Sequence, residues 1–329
     1  MNSWGSEVHF LVTGHTGFKG SWLTVMLNQL GHSVSGLALD PAQTSLFRMA
    51  NLGELVESDV RGDIRDPGVV VDALLSVQPD VVIHMAAQPL VRASYKDPRE
   101  TIETNVSGTL NVLQAIQSCE SVKAHLVVTT DKVYRNVNRE VGYREDEPLG
   151  GTDPYSASKA MADILTQSWA TSFSGPPTAI ARAGNVIGGG DYGEERLIPD
   201  VIESLSTGTA LRLRYPSAVR PWQHVLDCLA GYLGIVDHLI NMESETASQG
   251  EAWNIGPESG SLREVRDVAQ SMAREWGATV LLDLVDKDPL PEASLLTLDP
   301  SKANENLGWR NRLRFDDAIR WTCQWYLGV

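Results

Sequence analysis

A tyrosine and a lysine, Tyr155 and Lys159, stand four residues apart in a segment that is predicted to be helical. Residues with this spacing share one face of a helix, so the phenol and the ammonium group are expected to be neighbours. A nearby positive charge lowers the pKa of a phenol, and a phenol of lowered pKa is a general base toward an alcohol. Because such pairs also arise by chance, the surrounding segments decide what this one means.

Another group of reactive side chains precedes this helix along the chain. Thr129, Thr130, Asp131 and Lys132 stand at the end of an apolar run that predicts a buried strand. Ligands of open α/β sheets bind at the carboxyl ends of the strands. We therefore expect this polar cluster to face a ligand.

The element that would hold such a ligand begins near the N-terminus. Gly14, Gly17 and Gly20 lie between a predicted buried strand and a predicted helix at 21–30. Without side chains at these positions, the main chain can approach itself in the turn, a pyrophosphate, and the packed helix. The free N–H groups at the start of the helix would then face an anion. The pattern predicts a dinucleotide site; the alternative is an ordinary turn, since glycines punctuate many turns.

Two acidic positions refine this prediction. Asp40 ends the second predicted strand at the distance from the glycines where an acid hydrogen-bonds the ribose hydroxyls of NAD and repels the 2′-phosphate of NADP. Asp63 follows the third predicted strand, where its carboxylate would accept from an adenine amino group while Ile64 covers the ring. The alternatives are a plain strand-end acid at Asp40 and a helix cap at Asp66 without an adenine contact.

Strand and helix patterns alternate along the first half of the chain. The predicted strands lie at 33–39, 56–59, 80–85, 124–130 and 178–183, and the further helices at 67–77, 98–118 and around Tyr155. Such alternation is typical of a parallel sheet covered by helices, and a strand that is apolar throughout is buried on both faces. The predicted fold class is α/β: a Rossmann-like, doubly wound parallel sheet with a smaller α/β substrate-binding domain.

The periodicity weakens after the sixth predicted strand. We therefore expect a dinucleotide-binding domain at 1–183 and a mainly substrate-binding domain at 184–329, with a helix at 225–239 and a strand at 252–255 that return to the first domain. The tail at 301–326 is predicted to be helical, with its tryptophans in the core.

Arginines cluster in the second part of the chain. Arg212 and Arg214 alternate with leucines, which predicts one shared strand face, and Arg220 follows. Guanidinium groups bind phosphates bidentately, so the cluster suits a diphosphate. The alternative is a set of solvated charges on an edge strand.

The composition excludes several classes of function. The formal net charge of −15 opposes binding to nucleic acid or to an anionic membrane. Three widely spaced cysteines, Cys119, Cys228 and Cys323, fit a reduced cytoplasmic compartment better than a disulfide framework. The chain shows neither a signal-peptide pattern nor an apolar run of the roughly 20 residues that a membrane span needs. None of the seven histidines has metal-ligand spacing, so no metal site is expected.

With these features in place, the chain resembles the extended short-chain dehydrogenases/reductases that act on nucleotide sugars, and among them the CDP-glucose 4,6-dehydratases. The matching stretches are 14–23 (GHTGFKGSWL), 86–92 (AAQPLVR), 130–132 (TDK), 184–191 (GNVIGGGD) and 220–225 (RPWQHV). The resemblance implies a tightly held NAD, a CDP-hexose substrate and a 4-keto-6-deoxy product. It makes 1–183 the NAD-binding domain and 184–329 mainly the nucleotide-sugar-binding domain.

The resemblance also implies roles for individual residues. Tyr155, steadied by Lys159, would take the C4 hydroxyl proton; Thr130 would hydrogen-bond the same oxygen, and Asp131 would protonate the departing C6 hydroxyl. The expected NAD contacts are Gly14, Thr16, Gly17, Phe18, Lys19, Gly20, Asp40, Asp63, Ile64, Ala86, Ala87, Gln88, Asn105, Thr129, Tyr155 and Lys159. The expected substrate contacts are Asn185, Arg196, Leu197, Arg212, Arg214, Arg220 and His224.

The chain departs from its relatives at the acid–base pair. Related dTDP-sugar dehydratases carry Asp-Glu where this chain has Asp131-Lys132. A lysine has an ordinary pKa of about 10.4, so Lys132 is either a base of depressed pKa or a cation that stabilises the enolate; both hypotheses stay open. Val133 stands where cysteine is usual, and 290–293 lacks an expected histidine, which weakens the prediction of the substrate.

Three other functions compete with the dehydratase. A nucleotide-sugar 4-epimerase shares the loop and the tyrosine–lysine pair but has no use for the acid at Asp131. A reductase that uses free NADP would release its cofactor, and a non-catalytic dinucleotide sensor would not need both Tyr155 and Lys159. The resemblance further implies a homodimer formed through the helical regions 98–118 and 155–173.

Overall fold

A seven-stranded parallel sheet forms the centre of the molecule. The computed structural model describes residues 7–242, 249–257, 262–284 and 293–328. The strands of this sheet are β1 (His9–Thr13), β2 (Ser33–Ala38), β3 (Ser58–Arg61), β4 (Val81–His84), β5 (Ala124–Val128), β6 (Thr178–Ala183) and β11 (Gln249–Ile255). Their order is β11-β6-β5-β4-β1-β2-β3, and all neighbours pair in parallel. The predicted doubly wound Rossmann-like sheet is confirmed.

The chain reverses direction across the sheet between β1 and β4. From β1 it passes to β2 and β3 on one side, and then returns to build β4, β5 and β6 on the other. The loops that leave β1 and β4 therefore diverge and open a crevice at the carboxyl edge, where ligands of such sheets bind. All residues of β4 and β5 are buried, as the near-continuous apolar run at 80–85 predicts for β4.

Helices cover both faces of the sheet. They are α1 (Phe18–Gln29), α2 (Leu46–Met49), α3 (Pro67–Val77), α4 (Val91–Lys96), α5 (Pro98–Ile102), α6 (Gly108–Gln117), α7 (Pro154–Ser172), α8 (Leu197–Thr207), α9 (Val225–Asn241), α10 (Val265–Trp276), α11 (Ser301–Asn306) and α12 (Phe315–Leu327). One core layer joins α1 and α9 to the sheet, and another joins α3 and α6 to it. The predicted helix at 98–118 is interrupted by a π-helical turn at Glu103–Ser107.

Several predicted boundaries shift by a few residues. Helix α1 begins at Phe18 rather than at 21, because the glycine turn is itself the helix start, and it ends before Gly31, whose φ of +82° places it in the left-handed region. Strand β3 lies two residues later than predicted. Asp66 caps α3 by accepting hydrogen bonds from two backbone N–H groups, which is the helix cap that the sequence offers as the alternative to an adenine contact.

A second hydrophobic cluster lies outside the sheet. It joins α8, α10 and α12 to the short strand β8 (Leu211–Leu213), which pairs with β13 (Leu282–Leu284). Two further two-stranded ladders join β7 (Val186–Ile187) to β10 (Gln223–His224), and β9 (Val219–Pro221) to β12 (Leu262–Glu264). Strand β11 returns to the main sheet, as predicted, whereas the domain boundary at 184 stays a prediction.

The C-terminal tail forms two helices, α11 and α12, rather than one. Trp309 is buried, but Trp321 is 46% exposed, so the prediction that it belongs to the core is wrong. No helix in the described ranges is both long and apolar enough to cross a membrane.

Candidate functional site

A large cavity of about 880 Å³ opens at the carboxyl edge of the sheet. It collects side chains from the glycine turn, from the ends of β4 and β5, from the start of α7, and from the segments around α8 and β8. The predicted site residues that line it are Gly14, Thr16, Gly17, Phe18, Lys19, Gly20, Asp63, Ile64, Ala86, Ala87, Gln88, Thr129, Thr130, Lys132, Tyr155, Asn185, Arg196, Leu197, Arg212, Arg214 and Arg220. Asp40, Asn105, Asp131, Lys159 and His224 do not line it.

The glycine turn is built so that its backbone comes close to other backbone. Gly14 has a φ of +76°, and a Cβ there would lie 2.9 Å from the Ala86 nitrogen. A Cβ on Gly20 would lie 2.2 Å from the Gly14 carbonyl oxygen. Only glycine fits either position without displacing main chain.

Gly17 differs from these two, because it has room for a side chain. It stands at the N-cap of α1 with a φ of −79°, and a Cβ there would meet nothing closer than the Gly14 oxygen at 3.4 Å. No side chain of the described residues caps α1, and the first N–H groups of a helix have no acceptor within the helix itself. An open glycine beside uncapped N–H groups fits the phosphates of a dinucleotide.

The acid that was expected to contact ribose lies at the margin of this site. Asp40 has an 86% exposed side chain, and its Oδ1 lies 3.9 Å from Nε of Arg61. Arg61 also binds Asp59, and Asp59 accepts from Nε2 of the buried His15 in the glycine turn at 2.8 Å. The contact of Asp40 with ribose therefore stays a prediction. The positive charge of Arg61 is offset by the carboxylates around it.

Asp63 and Ile64 lie at the neighbouring strand end. Asp63 accepts from the guanidinium and the backbone of Arg65, which lowers the pKa of its carboxyl group. Ile64 is buried against Gly108. Both residues line the cavity, and their contact with adenine stays a prediction.

Asn105 supports the loop after β4 from behind. Its Oδ1 accepts from the Gln88 backbone nitrogen at 2.8 Å, and its Nδ2 donates to the Gln88 carbonyl and to Ser158 Oγ. The Gln88 side chain is bound in turn to Thr101 and to Leu90. Asn105 is only 1% exposed, so it positions the cavity wall rather than contacting a ligand there.

Tyr155 is held at the first turn of α7, which Asp153 caps by accepting from the Ser156 nitrogen. The Tyr155 backbone nitrogen donates to Ser94 Oγ at 3.1 Å. Burial raises the pKa of the Tyr155 phenol, while Lys132 and a hydrogen bond with Thr130 oppose this shift. The expectation of a lowered pKa is therefore wrong for this state of the protein, because burial outweighs the nearby cations.

Lys159 occupies the predicted helix face but points to another partner. Its Nζ donates to the Val128 carbonyl oxygen at 3.1 Å. Burial, and then the charge of Lys19, lower the pKa of Lys159 to about 7. The cations that act on the phenol of Tyr155 are instead Lys132 and Arg196.

Asp131 is fully buried directly behind the cavity wall. Its Oδ1 accepts from Thr130 Oγ1 at 2.9 Å and lies 3.4 Å from Lys132 Nζ, and its Oδ2 accepts from Asn185 Nδ2 at 3.3 Å. A Cβ on Gly184 would lie 1.9 Å from Oδ2, so this glycine makes room for the carboxylate. Three donors hold the carboxylate. Because Asp131 is 0% exposed and does not line the cavity, its contact with the substrate stays a prediction.

A buried ion pair that the sequence analysis missed anchors the same strand end. Arg182 donates to both carboxylate oxygens of Asp163 at 2.8 Å, and Thr129 Oγ1 donates to Asp163 Oδ2 at 3.1 Å. Arg182 also donates to the Tyr134 hydroxyl at 2.9 Å. The one signal in the sequence is the presence of Arg182 inside an otherwise apolar strand.

Several arginines from the second part of the chain line the cavity. Arg196 binds Asp191 at 3.0 Å and is one third exposed, and Arg212, Arg214 and Arg220 line the same wall. Strand β8 ends at Leu213, so Arg214 lies beyond the strand that was expected to place it beside Arg212. The sequence analysis did not assign Arg92, Glu195 or Asp200, which also line the cavity.

His224 is part of the fold rather than of the cavity wall. It is 3% exposed, its Nδ1 accepts from the Leu226 nitrogen, and its ring meets Trp321 edge to face. Burial lowers its pKa to about 4. The predicted substrate contact of His224 is therefore not supported by its position, because the ring is used as a helix cap.

The site can now be compared with known proteins. A family model described as GDP-mannose 4,6 dehydratase matches residues 11–322. The chain is 42% identical to the CDP-glucose 4,6-dehydratase of Salmonella typhimurium, over 99% of this chain and 92% of that protein. The crystal structure of the dTDP-glucose 4,6-dehydratase DesIV from Streptomyces venezuelae, with NAD and TYD bound, superposes with a TM-score of 0.83 at 28% identity and covers 97% of each chain. The UDP-glucose 4-epimerase of Thermus thermophilus with NAD superposes with a TM-score of 0.84 at 26% identity, over 98% of this chain and 99% of that one. The chain therefore belongs to the GDP-mannose 4,6 dehydratase family.

Proposed function

We propose that this enzyme is a hydro-lyase that dehydrates CDP-D-glucose to CDP-4-keto-6-deoxy-D-glucose with a bound NAD. One observation carries the proposal: Tyr155, Thr130 and Lys132 line the same cavity as the open glycine turn and a set of arginines from the second part of the chain. A nucleotide sugar whose diphosphate lies against the arginines would place its hexose toward the tyrosine. The CDP-glucose 4,6-dehydratase relative favours the cytidine nucleotide.

The first step is removal of the C4 hydroxyl proton. Bound NAD would accept a hydride from C4 and return it to C6. Tyr155 takes the hydroxyl proton, and Thr130, which hydrogen-bonds the phenol and donates to Asp131, would donate to the C4 oxygen instead. The cations Lys132 and Arg196 favour the phenolate form that a base requires.

The second step is loss of water across C5 and C6. The C5 proton must pass to a base and the departing C6 hydroxyl must receive a proton. We assign both transfers to Asp131, whose carboxylate would take the C5 proton and then deliver it to the C6 hydroxyl; Asn185 Nδ2 holds its Oδ2. Lys132 lies 3.4 Å from the Asp131 carboxylate, and an adjacent carboxylate favours the charged form of an ammonium group. Of the two open hypotheses for Lys132, this pairing favours the cation that stabilises negative charge on the C4 oxygen.

The deciding experiment supplies substrates without cofactor. The purified protein is incubated with CDP-, dTDP- and GDP-hexoses with no added NAD, and the 4-keto product is followed. Product from CDP-glucose is expected, because hydride that leaves C4 and returns to C6 leaves the cofactor unchanged after each cycle. Absence of product from all three nucleotide sugars contradicts the proposal, and product only after NAD is added contradicts tight retention.

We also propose that the enzyme is a homodimer. Helices α5 and α7 pack together. Exposed apolar side chains lie on them and directly after α7: Ile102, Met161, Ile164 and Phe173, which are 39–53% exposed. A second copy would bury this face. Light scattering at micromolar concentration should give a dimer for the native chain and for Leu75→Arg on α3, and a monomer for Ile164→Arg; a monomeric native chain contradicts the proposal.

Two further assignments rest on the same reasoning. We infer a cytoplasmic location from three cysteines, Cys119, Cys228 and Cys323, which are all buried and all free. We infer that 1–183, with the returning α9 and β11, binds NAD, and that 184–329 mainly binds the nucleotide sugar. The separate hydrophobic cluster around α8, α10 and α12 supports this division.

A further inference from the structure

One acidic side chain that lines the cavity, Asp200, lacks the hydrogen-bond and salt-bridge partners that the other acids have in the described part of the chain. The acidic residues that line the cavity in the described part of the chain are Asp63, Glu100, Asp153, Asp191, Glu195 and Asp200. Asp63 and Glu100 pair with Arg65, and Asp153 caps α7. Asp191 and Glu195 pair with Arg196 and Arg92. The carboxylate of Asp200 makes no hydrogen bond or salt bridge with any residue in the described ranges.

The surroundings of Asp200 make an unpartnered carboxylate costly. Asp200 lies in the first turn of α8, one turn after Leu197, and shares the cavity wall with Leu197, Ile198 and Leu213. Burial raises the pKa of its carboxyl group, as do Glu203 and Glu195, while Arg214 opposes the shift. A partly buried carboxylate is stabilised by a donor, and a ligand group in the cavity would supply one beside the charge of Arg214.

The chemistry of the substrate limits which donor this is. A diphosphate is repelled by a carboxylate, so Arg212 and Arg220 would hold it, with Arg214 between the diphosphate and Asp200. The hexose has to reach Tyr155, where the reaction takes place. The remaining part is the nucleoside, whose flat base would pack on the leucines and isoleucine beside Asp200. Cytosine presents an amino donor at N4, whereas uracil and thymine present an acceptor at O4 that a carboxylate repels.

We propose that Asp200 accepts a hydrogen bond from the N4 amino group of the cytosine base and thereby selects cytidine over uridine and thymidine nucleotides. This inference rests on the proposed function, because it assumes that the cavity takes a nucleotide sugar. It adds a residue that determines which nucleotide is taken. A carboxylate acceptor discriminates between cytosine and uracil at the group where they differ, and the ribose and diphosphate are the same for both.

The test compares CDP and UDP on the same protein by calorimetry. The native chain should bind CDP more tightly than UDP, and Asp200→Asn should reduce the CDP/UDP ratio about tenfold, because an amide can turn its NH2 group toward O4. A ratio measured within one variant is insensitive to a general loss of folded protein. Glu203→Gln is the matched control, since it removes the same charge from an exposed position of α8 outside the cavity wall, and it should leave the ratio unchanged.

Each result has a separate meaning. If Asp200→Asn weakens CDP and UDP by the same factor, Asp200 contacts ribose or supports the wall, and the proposal is overturned. Equal affinity of the native chain for CDP and UDP overturns it as well. Turnover of a nucleotide hexose by the native chain is measured independently, so a wrong assignment of Asp200 is distinguishable from a wrong proposed function.

Discussion

His125 offers a quantitative test of how burial governs the stability of this protein. It lies in the middle of the sheet on β5 and is 0% exposed, and neither ring nitrogen has a hydrogen-bond partner among the described residues. Burial lowers its pKa from 6.5 to about 3. The folded state therefore binds a proton less readily than the unfolded state, so the stability that depends on His125 is lost as the pH falls below 6.5, and the loss continues until about pH 3.

The size of the effect follows from the two pKa values. Between pH 7 and pH 5 the unfolded histidine becomes almost fully protonated while the folded one stays neutral, which removes about 2 kcal/mol of folding free energy. The substitution His125→Leu abolishes this contribution. It also removes two buried polar atoms without partners in the described structure, which adds about 1–3 kcal/mol of stability at neutral pH.

Urea denaturation of the native chain and of His125→Leu at pH 7 and pH 5 measures both the pH-dependent loss of stability and the cost of the two unpartnered ring nitrogens. The variant should be more stable at pH 7, and its advantage should grow by about 2 kcal/mol at pH 5. Leu126→Val is the control, since it removes a buried methylene group from the same strand and its cost should not depend on pH. An equal advantage of His125→Leu at the two pH values would refute the reasoning, because it would mean that His125 is protonated equally in the folded and unfolded states.

Three further predictions address the site. Gly17→Val should fold normally but purify with little NAD, and added NAD should partly restore its activity. Gly20→Ala should be destabilised, because its Cβ would lie 2.2 Å from a backbone oxygen. An unchanged content of bound NAD in Gly17→Val contradicts the assignment of the loop. If Lys132 is a stabilising cation, Lys132→Met should slow exchange of the C5 hydrogen with solvent deuterium by a similar factor at every pH. If Lys132 is a base, the substitution should instead remove the increase of the exchange rate with pH. Undiminished exchange contradicts both roles. Asp163→Asn should lower the free energy of unfolding by about 3–5 kcal/mol, because it leaves the buried charge of Arg182 without its partner; melting curves that match the native chain would show that the pair carries no such energy.

Local sequence patterns predicted the elements that depend on local rules. Helix α3 occupies the predicted residues, because Asp66 and the proline after it define its start. The near-continuous apolar run at 80–85 predicted the buried parallel strand β4, since helices cover both faces of such a sheet. The glycine turn was readable because Gly14 and Gly20 have to lie against main chain.

The arrangement of charges around Tyr155 was beyond such rules. Helical spacing correctly placed Lys159 on the face of α7 that carries Tyr155, yet its ammonium group binds the Val128 carbonyl because a strand end lies within reach. The balance between burial and Lys132 in setting the pKa of the phenol depends on three separate segments. Leu290 and the two residues that follow it, where a histidine was expected, lie outside the described residues.

The order in which the sheet is assembled has a consequence for synthesis on the ribosome. Strand β11 covers the edge of β6, yet it follows β6 by more than sixty residues of chain, and α9 lies between them. As the nascent chain emerges, β6 is therefore an uncovered apolar edge until the second half of the protein has been made. The proposed NAD-binding domain at 1–183 is therefore not expected to fold without the later strand. A chain that stops before Gln249 would present the edge of β6 to other chains.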